Sequence, residues 1–264
     1  MALIQFEAFS DALGKAFSAQ IALPETNRGP FPVLWLLHGA GDNDSGWFRN
    51  TAIERQATRR DLAVVAPAAG MSMYEDMAHG QRYFTHIADE LPALLRRLLP
   101  LSAKREDNFI AGLSMGGRGT IKYAVNHPEK FAAAAVLSAT PMDLTRMTPD
   151  NPCPMLNTND ERTRTTLLNA GGLDAFIHSN ENVWAILDEK AHTGELPKLM
   201  FACGEDDVLL YKLFCEFRAH AEEIGLDAYW FTRPGYKHEW RFWDLAIQEA
   251  LNFFGLTENG GNPF

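Results

Sequence analysis

A serine-centred pentapeptide, Gly112-Leu113-Ser114-Met115-Gly116, constrains the fold of this chain more than any other feature. The apolar stretch 108–111 before it predicts a short buried strand, and residues 121–125, stopped by Pro128, predict a helix after it. The two outer glycines let a strand turn sharply into a helix without a clash at Cβ. The pattern therefore predicts an elbow that presents the Ser114 hydroxyl at the edge of a sheet, above a helix N-terminus.

Apolar runs that predict strands alternate along the chain with patterns that predict helices. This alternation is typical of an α/β protein whose mostly parallel sheet has helices on both faces. The strand-like runs 3–8 and 16–23 flank a short polar turn and predict a hairpin at one edge of the sheet. Pro92, inside a helical pattern over 81–99, predicts a kink or a join. The other predicted strands are 33–37, 62–67, 108–111, 132–137, 198–203 and 228–231, and the other predicted helices are 51–59 and 240–254.

The alternating pattern breaks between residues 140 and 195. Prolines lie there among threonine and asparagine, and short amphipathic pieces follow at 175–177 and 183–187. So long a segment between two core strands predicts a small cap over the C-terminal edge of the sheet, where open α/β sheets bind their ligands. We therefore expect a single domain over residues 1–264, with a cap-like insertion at about 140–195.

The chain carries a formal net charge of −10 and has no cluster of lysine and arginine. Binding to phosphates requires such clusters, so the composition argues against nucleic-acid binding and against anionic membrane surfaces. The start of the chain lacks a basic stretch followed by an apolar one, and no run approaches the length of a membrane span. These features predict a cytoplasmic protein without membrane insertion.

Cysteine, histidine and glycine patterns give no sign of a metal or a cofactor. Cys153, Cys203 and Cys215 form no C-x-x-C pair, and the histidines are scattered. Residues 116–119 are glycine-rich but lack the sequence of a phosphate-binding loop, so close packing of a helix explains them better. We expect no bound metal and no cofactor.

Residues that could activate Ser114 follow two later strands. A serine hydroxyl needs a base to accept its proton and an acid to orient that base. His238 follows the strand 228–231, and Glu205, Asp206 and Asp207 follow the strand 198–203. The order serine, acid, histidine is that of α/β hydrolases. The acid remains ambiguous among the three carboxylates, and we favour Asp207.

The negative charge that develops in acyl transfer requires backbone donors near Ser114. The N–H of Met115, after the serine, and the N–H of Ala40, in the loop after the strand 33–37, are the expected oxyanion hole. His38 in the same loop is a rival base. It is disfavoured because a histidine in this type of loop more often orders the turn by hydrogen bonding.

Motifs in this order along the chain resemble the esterase D group of α/β hydrolases. Within that group the chain is most similar to the tributyrin-esterase and feruloyl- or acetyl-esterase-like branch, and the resemblance runs from about 33 to 254. The motifs that carry it are Leu36-Leu37-His38-Gly39-Ala40-Gly41-Asp42-Asn43 with Trp47, Tyr74-Glu75-Asp76-Met77 leading to Glu90-Leu91-Pro92, Gly112 to Gly117, Cys203 to Asp207, and His238-Glu239-Trp240 with Phe242-Trp243.

The resemblance implies an α/β-hydrolase fold and a serine carboxylic-ester hydrolase. The family triad falls on Ser114, Asp207 and His238, and the implied substrate is a small-molecule ester with a short-chain or small aromatic acyl group. An acyl-enzyme is the implied intermediate, and homo-oligomers are common in the family. Residues 38–41 stand where related S-formylglutathione hydrolases typically carry Leu-Ser-Gly-Leu-Thr-Cys, which counts against a thioesterase.

Four aromatic residues are expected to contact the substrate, and Met73, next to one of them, affects the expected size of the acyl pocket. They are Trp47, Tyr74, Phe176 and Trp184, the last two as walls formed by the cap. Met73 stands where many short-acyl esterases of the branch have Trp. An alternative of another class, a catalytically silent scaffold that acts as a binding module, is disfavoured because all three triad positions are filled.

Overall fold

The computed structural model describes residues 1–26, 28–151, 153 and 161–259. Within these residues eight strands form one sheet in the order β1-β2-β4-β3-β5-β6-β7-β8. All eight predicted strands are confirmed, each within a few residues of its expected ends. The strands are β1 (Ala2–Ser10), β2 (Lys15–Leu23), β3 (Val33–Leu37), β4 (Ala63–Pro67), β5 (Asn108–Leu113), β6 (Ala133–Leu137), β7 (Lys198–Gly204) and β8 (Ala228–Arg233).

The sheet is parallel except at one edge. β1 pairs antiparallel with β2, and β2 pairs antiparallel with β4, whereas the pairs from β4 to β8 are parallel. Side chains on β1 alternate between half-buried and exposed, as expected for an edge strand. Every residue of β3 to β6 is buried, because helices cover both faces of the central strands. The α/β-hydrolase fold predicted from the sequence is the fold observed.

Helices lie on both faces of the sheet. One apolar cluster joins α4, α5, α8 and α9 to one face, and a second cluster joins α1, α2 and α10 to the other. The helices are α1 (Gly46–Asn50), α2 (Ile53–Thr58), α3 (Tyr83–Thr85), α4 (Leu91–Leu98), α5 (Met115–Asn126), α6 (Glu161–Asn169), α7 (Leu173–Ile177), α8 (Val183–Lys190), α9 (Tyr211–Glu223) and α10 (Trp240–Phe253), with 3₁₀ turns at Arg105–Asp107, Pro128–Lys130 and Leu144–Arg146.

Three helical regions add to the sequence expectation. A π-helical stretch, His86–Glu90, separates α3 from α4, so Pro92 lies just after a join, in the first turn of α4. α9 was not predicted. Between β6 and β7 the described residues form α6, α7 and α8, in the segment predicted as a cap, and residues 152 and 154–160 of that segment lie outside the described part.

The C-terminal ends of the parallel strands bring the functional candidates together. Ser114 follows β5, the Ala40 loop follows β3, Asp207 follows β7 and His238 follows β8. Parallel strands end on the same edge of a sheet, so residues far apart in sequence meet there. Among the described residues, no helix combines the length and apolar character needed to cross a bilayer.

Candidate active site

Ser114 lies on a strained turn between β5 and α5. Its backbone has φ +53° and ψ −117°, a conformation that side chains other than glycine rarely adopt. Gly116 makes the turn sterically feasible, since a Cβ there would lie 2.4 Å from the carbonyl oxygen of Leu37. The predicted elbow is therefore present, with the serine directly before the first turn of a 12-residue helix.

Ser114, His238 and Asp207 form a continuous hydrogen-bonded chain. His238 Nε2 lies 3.0 Å from Ser114 Oγ, and His238 Nδ1 lies 2.8 Å from Asp207 Oδ2. A carboxylate on Nδ1 favours the tautomer with its proton on that nitrogen, which leaves Nε2 as an acceptor facing the serine hydroxyl. The histidine side chain is 27% exposed, so a ligand can approach it, whereas Asp207 is buried.

The structure distinguishes the three carboxylates that follow β7. Asp207 Oδ1 accepts hydrogen bonds of 3.1 Å from the N–H groups of Leu209 and Leu210, in addition to the His238 contact at Oδ2. Glu205 accepts a hydrogen bond from Thr232 Oγ1, and Asp206 is exposed. The geometry therefore favours Asp207 as the partner of the histidine.

The loops that carry Asp207 and His238 contact each other directly. Asp206 N donates to Tyr236 O at 2.9 Å, and Glu205 N donates to Arg233 O at 2.9 Å. Gly204 allows this contact, because a Cβ there would lie 2.3 Å from the Tyr236 carbonyl oxygen. The close packing of these two loops fixes the position of the carboxylate relative to the imidazole.

Trp243 supports the His238 ring from α10 and was not among the site residues expected from the sequence. The two rings meet edge to face at 5.1 Å, and the indole N–H donates to Ser138 Oγ at 3.0 Å. The position of Trp243, one helical turn after the histidine loop, is visible in the sequence. The direction of its side chain requires the fold.

His38 is held as a structural residue, as the sequence interpretation favoured. Its Nε2 accepts from Ala69 N at 2.9 Å, and its Nδ1 lies 2.8 Å from Gly39 O, which requires the neutral ring with the proton on Nδ1. Burial lowers the pKa of His38, an effect that the Gly39 carbonyl and nearby carboxylates oppose. Both ring nitrogens are occupied, so His38 orders the loop that carries Ala40.

Trp47 and Tyr74 lie behind this loop and do not line the cavities at the site. Both side chains are fully buried. Trp47 Nε1 donates to Leu37 O at 3.0 Å, and the Tyr74 hydroxyl donates to His38 O at 2.9 Å. Burial raises the pKa of Tyr74 well above its ordinary value, so the hydroxyl stays a donor. Instead of the substrate contact expected from the sequence, these residues hold the loop that carries Ala40.

The two cap residues expected as substrate walls differ in position. Phe176, on α7, lines a cavity beside Ser114. Trp184, on α8, stacks on His220 at 4.1 Å and packs edge to face on Phe217, and it is not among the residues that line the described cavities. Trp184 therefore anchors α8 on α9, and of the four aromatic residues Phe176 is the one that lines a cavity with Ser114.

Two cavities meet at Ser114 and Ala40. The outer cavity, about 560 Å³, is lined by His238, Trp240 and Trp243 and by the ion pair of Arg49 with Asp42. The inner cavity, about 280 Å³, lies against the cap. Its walls are mainly apolar and include Met73, Met115, Met142, Met147, Phe176 and Leu210.

Helix geometry places one of the expected oxyanion donors favourably. Met115 is the first residue of α5, where an N–H has no acceptor within its own helix. Met115 lines the inner cavity, and Ala40 lines both cavities, so both residues border the space around the serine hydroxyl. The start of α5 and the loop after β3 therefore meet beside Ser114.

The family follows from comparison with known proteins. A family model described as "Putative esterase" matches residues 10–208. The chain belongs to this esterase family. An acetyl esterase of Caldicellulosiruptor saccharolyticus is 27% identical over 98% of the chain and 100% of the relative. S-formylglutathione hydrolase of Mus musculus is 21% identical over 86% of the chain and 84% of the relative.

Solved structures agree with this assignment. FphF, a fluorophosphonate-binding serine hydrolase of Staphylococcus aureus, is 31% identical with a TM-score of 0.82, over 96% of this chain and 98% of that chain. A ferulic acid esterase shares the fold at 23% identity and a TM-score of 0.73, over 96% of this chain and 97% of that chain. The chain is a serine esterase with an α/β-hydrolase fold.

Proposed function

We propose that this esterase hydrolyses carboxylic esters with short or small aromatic acyl groups, using Ser114, His238 and Asp207 as a catalytic triad. The observation that carries the proposal is the hydrogen-bonded chain from Asp207 Oδ2 through both nitrogens of His238 to Ser114 Oγ, with distances of 2.8 and 3.0 Å. Such a chain lets the histidine accept the serine proton while the buried carboxylate stabilises the resulting imidazolium.

Acylation begins with attack of Ser114 Oγ on the ester carbonyl. His238 Nε2 takes the hydroxyl proton, and the carbonyl oxygen becomes an oxyanion that the N–H groups of Met115 and Ala40 stabilise. The positive end of the α5 dipole acts in the same direction. His238 then donates its proton to the leaving oxygen, and the alcohol departs from the acyl-enzyme.

The position of His238 indicates which part of the substrate each cavity holds. The proton donor must lie beside the leaving oxygen, and His238 lines the outer cavity only. The alcohol therefore occupies the outer cavity, whose charged and indole groups suit a polar alcohol. The acyl group occupies the inner cavity beneath the cap. Water entering from the outer cavity, activated by the same histidine, then releases the acid.

The inner cavity and the relatives support a small acyl group. A volume of about 280 Å³ with methionine and phenylalanine walls suits a short chain or one aromatic ring. Relatives include an acetyl esterase and a ferulic acid esterase, which fit this class. S-formylglutathione hydrolases among the relatives make a thioester the second candidate substrate, with the same nucleophile and the same acyl-enzyme.

Replacement of the nucleophile tests the proposal. We expect Ser114→Ala to lower turnover of a p-nitrophenyl acetate ester by roughly 10³-fold or more, with an unchanged circular dichroism spectrum. Ser18→Ala, on β2 away from the site, is the matched control and keeps full activity. Undiminished turnover by Ser114→Ala would refute the assignment. Failure of the wild type to react with a fluorophosphonate would instead favour the silent scaffold.

A panel of acetyl, butyryl, octanoyl, feruloyl and S-formylglutathione substrates separates the two substrate classes. Under the ester proposal, kcat/KM is highest for the short-chain or feruloyl esters. A higher kcat/KM for S-formylglutathione than for every oxygen ester would identify the enzyme as a thioesterase. Both outcomes are measured with the same enzyme preparation, so the comparison does not depend on its active fraction.

A further inference from the structure

The inner cavity has one charged residue among the described residues that line it, and that residue is Arg118. The rest of the lining consists of apolar side chains, of Ser114 and of threonines such as Thr140 and Thr166. A charged group is costly to bury beside an apolar cavity unless it has a partner. Glu181 is that partner for Arg118, so what remains to be explained is why the guanidinium faces the inner cavity.

Arg118 lies one helical turn beyond the nucleophile. Its backbone N–H donates to Ser114 O at 3.0 Å, which is the first complete turn at the start of α5. Ser114 and Arg118 both line the inner cavity. The guanidinium carbon lies 5.4 Å from the ring centre of Phe176, another wall residue. An acyl group on Ser114 that is a few atoms long therefore ends close to Arg118.

The guanidinium retains hydrogen-bonding capacity after pairing with the protein. Arg118 Nη2 donates to Glu181 Oε2 at 3.2 Å, and among the described residues this is the hydrogen bond that its side chain makes. Glu181 also forms a buried ion pair with Lys122 through its other oxygen. One carboxylate thus serves two cations, and within the described part of the chain the guanidinium of Arg118 keeps further donors that can face a ligand.

We propose that Arg118 binds a carboxylate at the far end of the acyl group, so that hemi-esters of short dicarboxylic acids are preferred substrates. The proposal rests on the proposed function, because it requires the acyl group to occupy the inner cavity. Arginine presents a planar set of donors that matches a carboxylate, and an apolar surrounding strengthens the attraction. A purely hydrocarbon chain of the same length would cover the guanidinium and leave its donors unpaired.

Two isosteric ethyl esters test the preference. Monoethyl succinate ends in a carboxylate, whereas ethyl levulinate carries a methyl ketone of similar shape and no charge. Ethanol release gives kcat/KM for both, and we expect the ratio of succinate to levulinate to be about tenfold or more in the wild type. A ratio of one or less would overturn the proposal.

Substitutions at Arg118 and at a control position test whether the preference for monoethyl succinate depends on the Arg118 side chain. Arg118→Met keeps an unbranched chain without charge, and we expect the ratio to fall to about one. Arg97→Met removes an exposed arginine from the end of α4, at the opposite edge of the sheet, and leaves the ratio unchanged. A preference that persists in Arg118→Met would refute the role of Arg118.

The outcomes separate this proposal from the proposed function. Ethyl acetate is too short to reach Arg118, so its hydrolysis by the wild type and its loss in Ser114→Ala test the esterase mechanism alone. If circular dichroism shows that Arg118→Met does not fold, Arg118→Lys carries the test. Lysine keeps the charge without the planar donors, so a ratio below that of the wild type is expected and an unchanged ratio would refute bidentate recognition.

Discussion

At the scale of single residues, adjacent carboxylates in the loop after β7 have different environments. Asp207 is buried and accepts hydrogen bonds at both oxygens, whereas Asp206 is exposed and contributes its backbone N–H to the contact with Tyr236. Both carboxylates place negative charge near His238, but only Asp207 contacts the imidazole and orients it. Their substitution therefore separates orientation from a general electrostatic effect.

We predict that Asp207→Asn lowers kcat for a short-chain ester by roughly 10³–10⁴-fold, because the amide favours the wrong imidazole tautomer. Asp206→Asn, the matched control, removes the same charge one residue away and changes kcat by less than about threefold. Steady-state kinetics on p-nitrophenyl acetate measure both. Equal losses in the two variants would show that charge, and not the hydrogen bond to His238, is what matters.

The sequence predicts individual site residues only where the residue type and the order of the motifs along the chain are sufficient. Ser114 and His238 follow from the elbow and from the order of the motifs, and the choice among the three carboxylates needs the burial that the fold provides. Trp47 and Tyr74 lie in the motifs that carry the resemblance, but a linear sequence does not show which way a side chain faces. For the same reason, it gave no sign that Arg118 lines the inner cavity.

At the scale of elements, Glu181 connects the cap segment to α5, the helix that follows Ser114. Its carboxylate pairs with Arg118 and Lys122, both on α5, and the lysine also donates to Met73 O at 3.3 Å. Lys122 is fully buried, and burial lowers its pKa against the opposing effect of Glu181. The cap, α5 and the loop before Tyr74 therefore share one buried ionic cluster.

We predict that Glu181→Gln lowers the free energy of unfolding by about 3 kcal/mol, because it removes the carboxylate that forms the ion pair with the buried Lys122 ammonium. Glu216→Gln is the control, since Glu216 is exposed and pairs with Arg146 and Lys212 at the surface. A surface pair of this kind contributes about 0–1 kcal/mol. Urea denaturation measures both variants, and equal small losses would show that Lys122 is not destabilised by losing its partner.

Elements differ in how well the sequence predicts them, and the reason is periodicity. Strands β3 to β7 are continuous apolar runs because helices cover them on both faces, so their positions are evident in the sequence. Helix α9 was not predicted, although its buried residues Leu213, Phe214 and Phe217 recur at helical spacing with charged residues between them. The π-helical stretch before α4 has no known pattern of apolar residues, so only the hydrogen bonding of the fold identifies it.

At the scale of the whole molecule, buried titratable groups have opposing effects on stability. Burial lowers the pKa of His38 and His86, so protonation of the unfolded chain reduces stability as pH falls below about 6.5. Burial raises the pKa of Glu75 to about 7, with Glu181 acting in the same direction and Lys122, Arg118 and Asn169 opposing it. Ionisation of Glu75 therefore lowers the free energy of unfolding as pH rises.

Proton binding by Glu75 determines whether the free energy of unfolding rises or falls with pH. Between its ordinary pKa of 4.5 and its folded value of about 7, the folded chain holds the proton and the unfolded chain releases it. The free energy of unfolding therefore falls as pH rises through this range, by on the order of 3 kcal/mol in total.

We predict that Glu75→Gln is more stable than the wild type by about 2–3 kcal/mol near pH 8 and nearly equal to it near pH 5, because glutamine has no proton to lose. Urea denaturation at several pH values measures this difference, in which the contributions of His38 and His86 cancel. Glu106→Gln, at an exposed position, is the control and should differ from the wild type by the same small amount at every pH. A stability difference for Glu75→Gln that does not grow with pH would contradict the raised pKa of Glu75. It would also contradict the net positive charge that Arg118, Lys122 and Glu181 carry together with a protonated Glu75.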